Sequence, residues 1–162
     1  MQSILSEYTI TDRTMALLPA KHHEYDTIVF EQNNKLYVKK TPMQLIKQAC
    51  LEHYSTYEGR REAVKHHTGF RRKIPLPINP EQCLYAFPTH STTDYECCWI
   101  FYHHVLYIKA FQSDTNPNIK SMNTFKDFQQ VPINVSSYIL HKQMQRTLTI
   151  IGRNYIRVNN LT

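Results

Sequence analysis

Arg60, Arg61, Lys65, Arg71, Arg72 and Lys73 form a basic block interrupted only by Glu62, and no carboxylate occurs between Ala63 and Pro80. Cations held this close repel one another unless a polyanion or bulk water screens them. The chemistry offered by this spacing is therefore phosphate binding, against the blander alternative of a solvated face. A second cationic series, Lys142, Arg146, Arg153 and Arg157, lies in a tail with no acid after Asp127. Five acids (Glu7, Asp12, Glu24, Asp26 and Glu31) lie in the first 31 residues. The sign asymmetry predicts an anion-facing surface built from the middle and end of the chain. Its candidate contacts are Arg60, Arg61, Lys65, Arg71, Arg72, Lys73, Lys142 and Arg146.

Other chemistries find weaker support. Cys83, Cys97, Cys98, His103 and His104 are the residue types that bind zinc, but tetrahedral sites use pairs spaced to converge. Adjacent residues on a strand point to opposite faces, so Cys97-Cys98 and His103-His104 each supply at most one easy ligand. No metal site and no cofactor are expected. Three glycines are too few for a phosphate-cradling loop, and no G-x-S-x-G elbow occurs. Asp94, Glu96, Asp114 and Asp127 form no recognisable acid–base pair. No catalytic residue is assigned and no enzyme is expected. The eleven tyrosines could stack on single-stranded bases, but they are scattered along the chain.

The elements that must carry these residues predict an α+β fold, with antiparallel strands, a helix over about 42–54 and a long C-terminal helix. Glu7 to Leu18, Thr27 to Glu31 and Lys35 to Lys39 read as strands, with a hairpin signal at Asn33-Asn34. Thr41 suits a helix N-cap and Pro42 the first helical position. Leu45, Ile46, Ala49 and Cys50 then share one face. Thr56 to His67 reads as a second short helix ended by Gly69. Pro75, Pro77 and Pro80 make Lys73 to Asn79 extended and edge-like. Cys83 to Phe87 and Cys98 to Phe111 read as buried strands, Ser113 to Asn123 as a polar turn region and Gln130 to Val135 as a strand. From Ser137, Leu140, Met144, Leu148, Ile151 and Tyr155 make an apolar stripe. The cations Lys142, Arg146, Arg153 and Arg157 fall nearly opposite, since residues 140 and 142 are about 200° apart on a helix.

Whole-chain properties bound the reading. The 162 residues are 41% hydrophobic and 20% charged, with a formal charge of +6 and nine histidines. That is a globular composition of single-domain size, residues 1–162, whose basic balance favours nucleic acid or an acidic membrane surface. No apolar run is long enough to span a membrane, and no secretion signal is visible. The cysteines are not spaced as a disulfide scaffold, so free thiols in a reducing cytoplasm are expected.

Several stretches, in this order, resemble the bacterial competence transcription factor family (ComK). They are Leu18-Pro19, Pro42-Met43-Gln44-Leu45-Ile46 with Cys50, and Ser55-x-Tyr57-x-Gly59-Arg60-Arg61. Pro75 and Pro80 follow, then Phe87-Pro88-Thr89-x-Ser91 and Trp99-Ile100. The similarity spans roughly residues 15 to 150. It implies a cytoplasmic, sequence-specific DNA-binding regulator, an activator of competence and DNA-uptake genes. Such a protein binds paired A/T-rich boxes in double-stranded DNA largely through the minor groove, as a homo-oligomer (dimer or dimer of dimers), with RNA polymerase as a further partner and no membrane. Longer family members carry a C-terminal tail used in adaptor-directed proteolysis and activation, for which no counterpart is seen before Thr162. The residues after Gly59-Arg60-Arg61 also diverge from the family pattern, so box preference need not follow it.

Minor-groove readout fits the basic block, because A-tracts have a narrow groove of enhanced negative potential that attracts Arg and Lys. Arg60 and Arg61 are expected at the groove, with Gly59 allowing close backbone approach, and Lys65, Arg71, Arg72 and Lys73 on phosphates. The alternatives are a small metal-dependent enzyme acting on nucleic acid and a single-stranded RNA-binding module. Bound metal with strand scission would mark the first, and preference for single strands the second.

Overall fold

The computed structural model of the protein describes residues 3–160. The larger sheet sets seven strands side by side in the order β1 (Ile4–Leu5), β4 (Asn34–Val38), β3 (Thr27–Glu31), β2 (Thr14–Pro19), β7 (Trp99–Phe101), β6 (Leu84–Pro88) and β5 (Leu76–Asn79). β1 pairs with β4 in parallel, and the remaining pairings of this sheet are antiparallel. The smaller sheet is antiparallel, in the order β10 (Gln130–Ile133), β9 (Ser121–Phe125) and β8 (Val105–Ala110). Three helices complete the fold: α1 (Pro42–Glu52), α2 (Tyr57–Thr68) and α3 (Ser137–Asn160). The architecture is α+β, with the expected helix in the N-terminal half and a long helix at the C-terminal end.

Local chemistry explains the boundaries. Glu31 pairs with Asn34 across a two-residue turn in which Asn33 takes φ 58°, a left-handed conformation that asparagine tolerates. α1 starts with a full capping box. Thr41 Oγ1 accepts the Gln44 N–H at 3.2 Å, and Gln44 Oε1 accepts the Thr41 N–H at 2.9 Å. α2 starts where Thr56 Oγ1 accepts the Gly59 N–H at 2.9 Å. It ends at Gly69, whose φ of 78° is the left-handed conformation of a helix C-cap.

Period-two alternation divides the large sheet between two cores. Ala86, Trp99 and Phe101 join Leu17, Val29 and the α1 residues Leu45, Ile46 and Ala49 on one side. Phe87 and Ile100 join Phe125, Val131 and Ile133 of the small sheet and Leu140 of α3 on the other. The large sheet is thus the middle layer, and β5, with Pro77 paired to Tyr85, is its edge. A smaller cluster of Val64, Ile74, Tyr85 and Ile150 holds α2 and α3 together.

Four expectations change. The expected strand over Cys98 to Phe111 breaks at a 3-10 turn, Tyr102–His104, which sends β7 into one sheet and β8 into the other. The strand expected over Glu7 to Leu18 begins only at Thr14, as β2, after a turn closed by the Thr14 N–H on the Thr11 carbonyl at 3.1 Å. Ser121 to Asn123, read as polar turn, opens β9, and Ser121 and Asn123 are fully buried. Ser121 stays buried because its hydroxyl donates to the Val135 carbonyl at 2.7 Å.

The fourth change concerns α3. Its buried face runs through Leu140, Gln143, Thr147 and Ile150, whereas Leu148 and Tyr155 are 54% and 70% exposed. Gln143 and Thr147 can face inward because their polar atoms find backbone partners. A hydropathy pattern does not register such partners. Among the described residues, no helix is long and apolar enough to cross a membrane.

Candidate nucleic-acid interface

The basic block occupies α2 and the irregular segment that joins it to β5. Lys65 is partnered by Glu62 at 3.4 Å, an exposed i,i+3 pair of small energetic worth. The side chains of Arg60, Arg61, Arg71, Arg72 and Lys73 make no hydrogen bond or ion pair among the described residues. Arg71 and Arg72 are exposed, and Arg61 and Lys73 are half-buried.

Arg60 and Arg61, adjacent in sequence, have different surroundings. Arg60 lines a cleft of about 460 Å³ between α2 and α3, facing His67, Arg153 and Arg157 over a floor that includes Val64, Ile150 and Pro77. Among the described residues no carboxylate lines this cleft. Arg60 Nε is buried there without a hydrogen-bond partner, a donor left with unmet demand. Gly59 serves α2 itself. A Cβ at this position would stand 2.9 Å from Thr56 Oγ1, the atom that caps the helix.

Arg146 is built into the fold. Its Nη2 donates to the Arg72 carbonyl at 2.8 Å, and its Nη1 to the Lys73 carbonyl at 3.1 Å and to Gln143 Oε1 at 2.7 Å. Its guanidinium carbon lies 4.4 Å from the centre of the Phe70 ring, a cation–π distance. Burial pulls its pKa down from the ordinary arginine value. Gln143, 2% exposed, donates through Nε2 to the carbonyls of Lys73 at 2.8 Å and Pro88 at 2.7 Å. Lys142 stays exposed and lines a shallow hollow with Phe70, Arg72, Lys73 and Tyr138.

Two cationic groups result. One gathers Arg72, Lys73 and Lys142 where α3 crosses the 70–73 segment. The other gathers Arg60, Arg153 and Arg157 in the cleft. Arg153 and Arg157 were visible as part of the cationic series but were not among the candidate contacts. Only the packing of α3 on α2 brings them beside Arg60. Gln143 gave no sequence signal at all, because nothing marks a glutamine as the partner of a loop 70 residues away.

Three of the four cysteines belong to the interior, whereas the histidines are exposed or half-buried. Cys50, Cys97 and Cys98 are buried free thiols, and Cys83 is exposed. Burial pushes the Cys50 thiol up to about 11 and the Cys98 thiol up to about 12. His103 is held below the usual histidine value by burial and then by Lys126. Among the described residues no three His, Cys, Asp or Glu are gathered as metal ligands would be.

The profile of the ComK protein family matches residues 5–157. The chain is similar to the competence transcription factor of Bacillus subtilis (strain 168), with 28% identity over 145 residues covering 88% of this chain and 72% of that protein. No solved structure matches the chain. With nearly all its length matched by the profile, the chain belongs to the ComK family.

Proposed function

We propose that the protein is a transcription regulator of competence genes that binds double-stranded DNA through the cations of α2, the 70–73 segment and α3. The observation that carries this reading is the set of unpaired cations, Arg61, Arg71, Arg72, Lys73 and Lys142, on a chain whose curated relative is a competence transcription factor. A surface of like charge without internal acid partners is favourable beside a polyanion and costly alone.

In finer detail, residues 1–162 act as one DNA-binding unit in the cytoplasm. Arg61 and Arg60 address a narrow A/T-rich minor groove. Arg71, Arg72, Lys73, Lys65 and Lys142 neutralise phosphates and set register. Arg153 and Arg157 extend the same surface along the cleft. A homo-oligomer occupies paired A/T boxes beside RNA polymerase. The reading involves no catalytic step.

The test is a binding series on A/T-box duplex, scrambled duplex and single strand at fixed salt. The reading expects duplex over single strand and A/T box over scrambled. Equal affinity for all three defeats it, and preference for single strands supports an RNA-type module instead.

A further inference from the structure

The 70–73 segment carries three cations yet belongs to no helix or strand. Lys73 takes φ 48°, a left-handed conformation that a non-glycine residue holds only when its surroundings enforce it. The side-chain hydrogen bonds that hold the Arg72 and Lys73 carbonyls come from one turn of α3. The Arg146 guanidinium bridges the carbonyls of Arg72 and Lys73, and Gln143 reaches both Lys73 and Pro88 at the end of β6. The Phe70 ring lies against the guanidinium. An arginine that donates to two neighbouring carbonyls and a glutamine, and stacks on a ring, has spent most of its planar fork inside the protein.

We infer that Arg146 is a positioning residue for DNA recognition, which fixes the backbone of residues 70–73 so that Arg71 and Arg72 meet the duplex in one register. It acts through those side chains and makes no phosphate contact of its own. This rests on the DNA-binding reading for its consequence on duplex, but the state of the segment can be measured without DNA.

Arg146→Met removes the charge and both carbonyl bonds. Arg146→Lys keeps the charge and loses the planar fork. Two readouts apply to both variants, with a thermal melt to establish folding. In limited trypsinolysis, cleavage after Arg71, Arg72 and Lys73 is referred to cleavage after exposed Lys21 in the same chain. Both variants should be cut at 71–73 faster than the parent, by about tenfold, the order expected when charge-assisted hydrogen bonds are lost. On DNA, the preference for A/T box over scrambled duplex should fall by about tenfold, with the salt slope nearly unchanged, because the cations remain but lose their register.

A direct phosphate contact predicts the opposite. Arg146→Met would flatten the salt slope by about 0.9 at constant preference, and Arg146→Lys would restore it. That pattern, or cleavage no faster than the parent in either variant, overturns the inference. Should the parent protein show no preference among duplexes, the DNA-binding reading fails, and proteolysis alone decides the role of Arg146. If the Met variant does not fold, the Lys variant carries both readouts.

Discussion

The Asp127 carboxylate accepts the backbone N–H of Asn33 at 2.8 Å, tying the β9–β10 turn of the small sheet to the β3–β4 turn of the large one. Gln129 strengthens the tie, donating from Nε2 to Asp127 at 2.6 Å and to the Glu31 carbonyl at 2.8 Å. The two sheets are thereby pinned at their turns as well as through their shared core.

A pH dependence follows from that tie. Partial burial alone would raise the Asp127 pKa, but the N–H donors of Asn33 and Gln129 outweigh it and hold the carboxyl below its unfolded value of 3.8. A carboxylate lowered in this way contributes stability that is complete above the unfolded value and lost as pH falls through the folded one. Asp127→Ala should therefore cost about 1 kcal/mol at neutral pH, and the gap to the parent should shrink below pH 3.8. Thermal melts of both proteins from pH 7 to 2.5 would check this. A gap that stays constant with pH would mean the charge is irrelevant.

Salt dependence tests the proposed DNA surface directly. With about six phosphates neutralised, log K against log salt should slope near −5, and Arg71→Ala with Arg72→Ala should flatten it by about 1.8. Fluorescence anisotropy across a salt series measures both. A slope near zero for the parent would place the DNA contact elsewhere.

Arg153 and Arg157 test the reach of that surface. Replacing both by Ala should flatten the slope by a further 1.8 or so if the cleft borders the duplex. An unchanged slope would restrict the contact to α2, the 70–73 segment and Lys142.

Arg60 and Arg61 are the residues on which the proposed sequence preference can be tested. Their joint replacement by Ala should weaken A/T-box binding more than scrambled-duplex binding, because groove insertion reads shape whereas phosphate contacts do not. Equal losses on both duplexes would reduce them to phosphate contacts.

The glycines of α2 and α3 should respond in opposite ways. A Cβ on Gly152 would meet nothing within 4 Å, so Gly152→Ala should stabilise by about 0.8 kcal/mol through helix propensity. Gly59→Ala crowds the capping hydroxyl of Thr56, so it should forfeit a cap worth about 1 kcal/mol and gain nothing net. Paired melts of the two variants decide it.

Much of the fold was legible because it follows from local chemistry. Thr41 with Pro42, Gly69 after the second helix, Asn33 in a tight turn and prolines at a sheet edge each act within a few residues of themselves. What was not legible depends on partners far away in the chain. The inward face of α3 also carries Gln143, whose amide is satisfied by Lys73 and Pro88, so the expected apolar stripe held at Leu140, Met144 and Ile151 but failed at Leu148 and Tyr155, which the fold leaves in solvent. The site divided in the same way. The cationic block could be read from spacing, but the different settings of Arg60 and Arg61, and the internal use of Arg146, appear only once α2 and α3 are packed together.

Cys83 caps the short turn between β5 and β6 with φ 58° and is exposed, while the other three cysteines are buried. A thiol-reactive dye will therefore label the native chain at one address without mutagenesis, leaving every arginine discussed above untouched. The molecule thus carries its own attachment point for single-particle fluorescence.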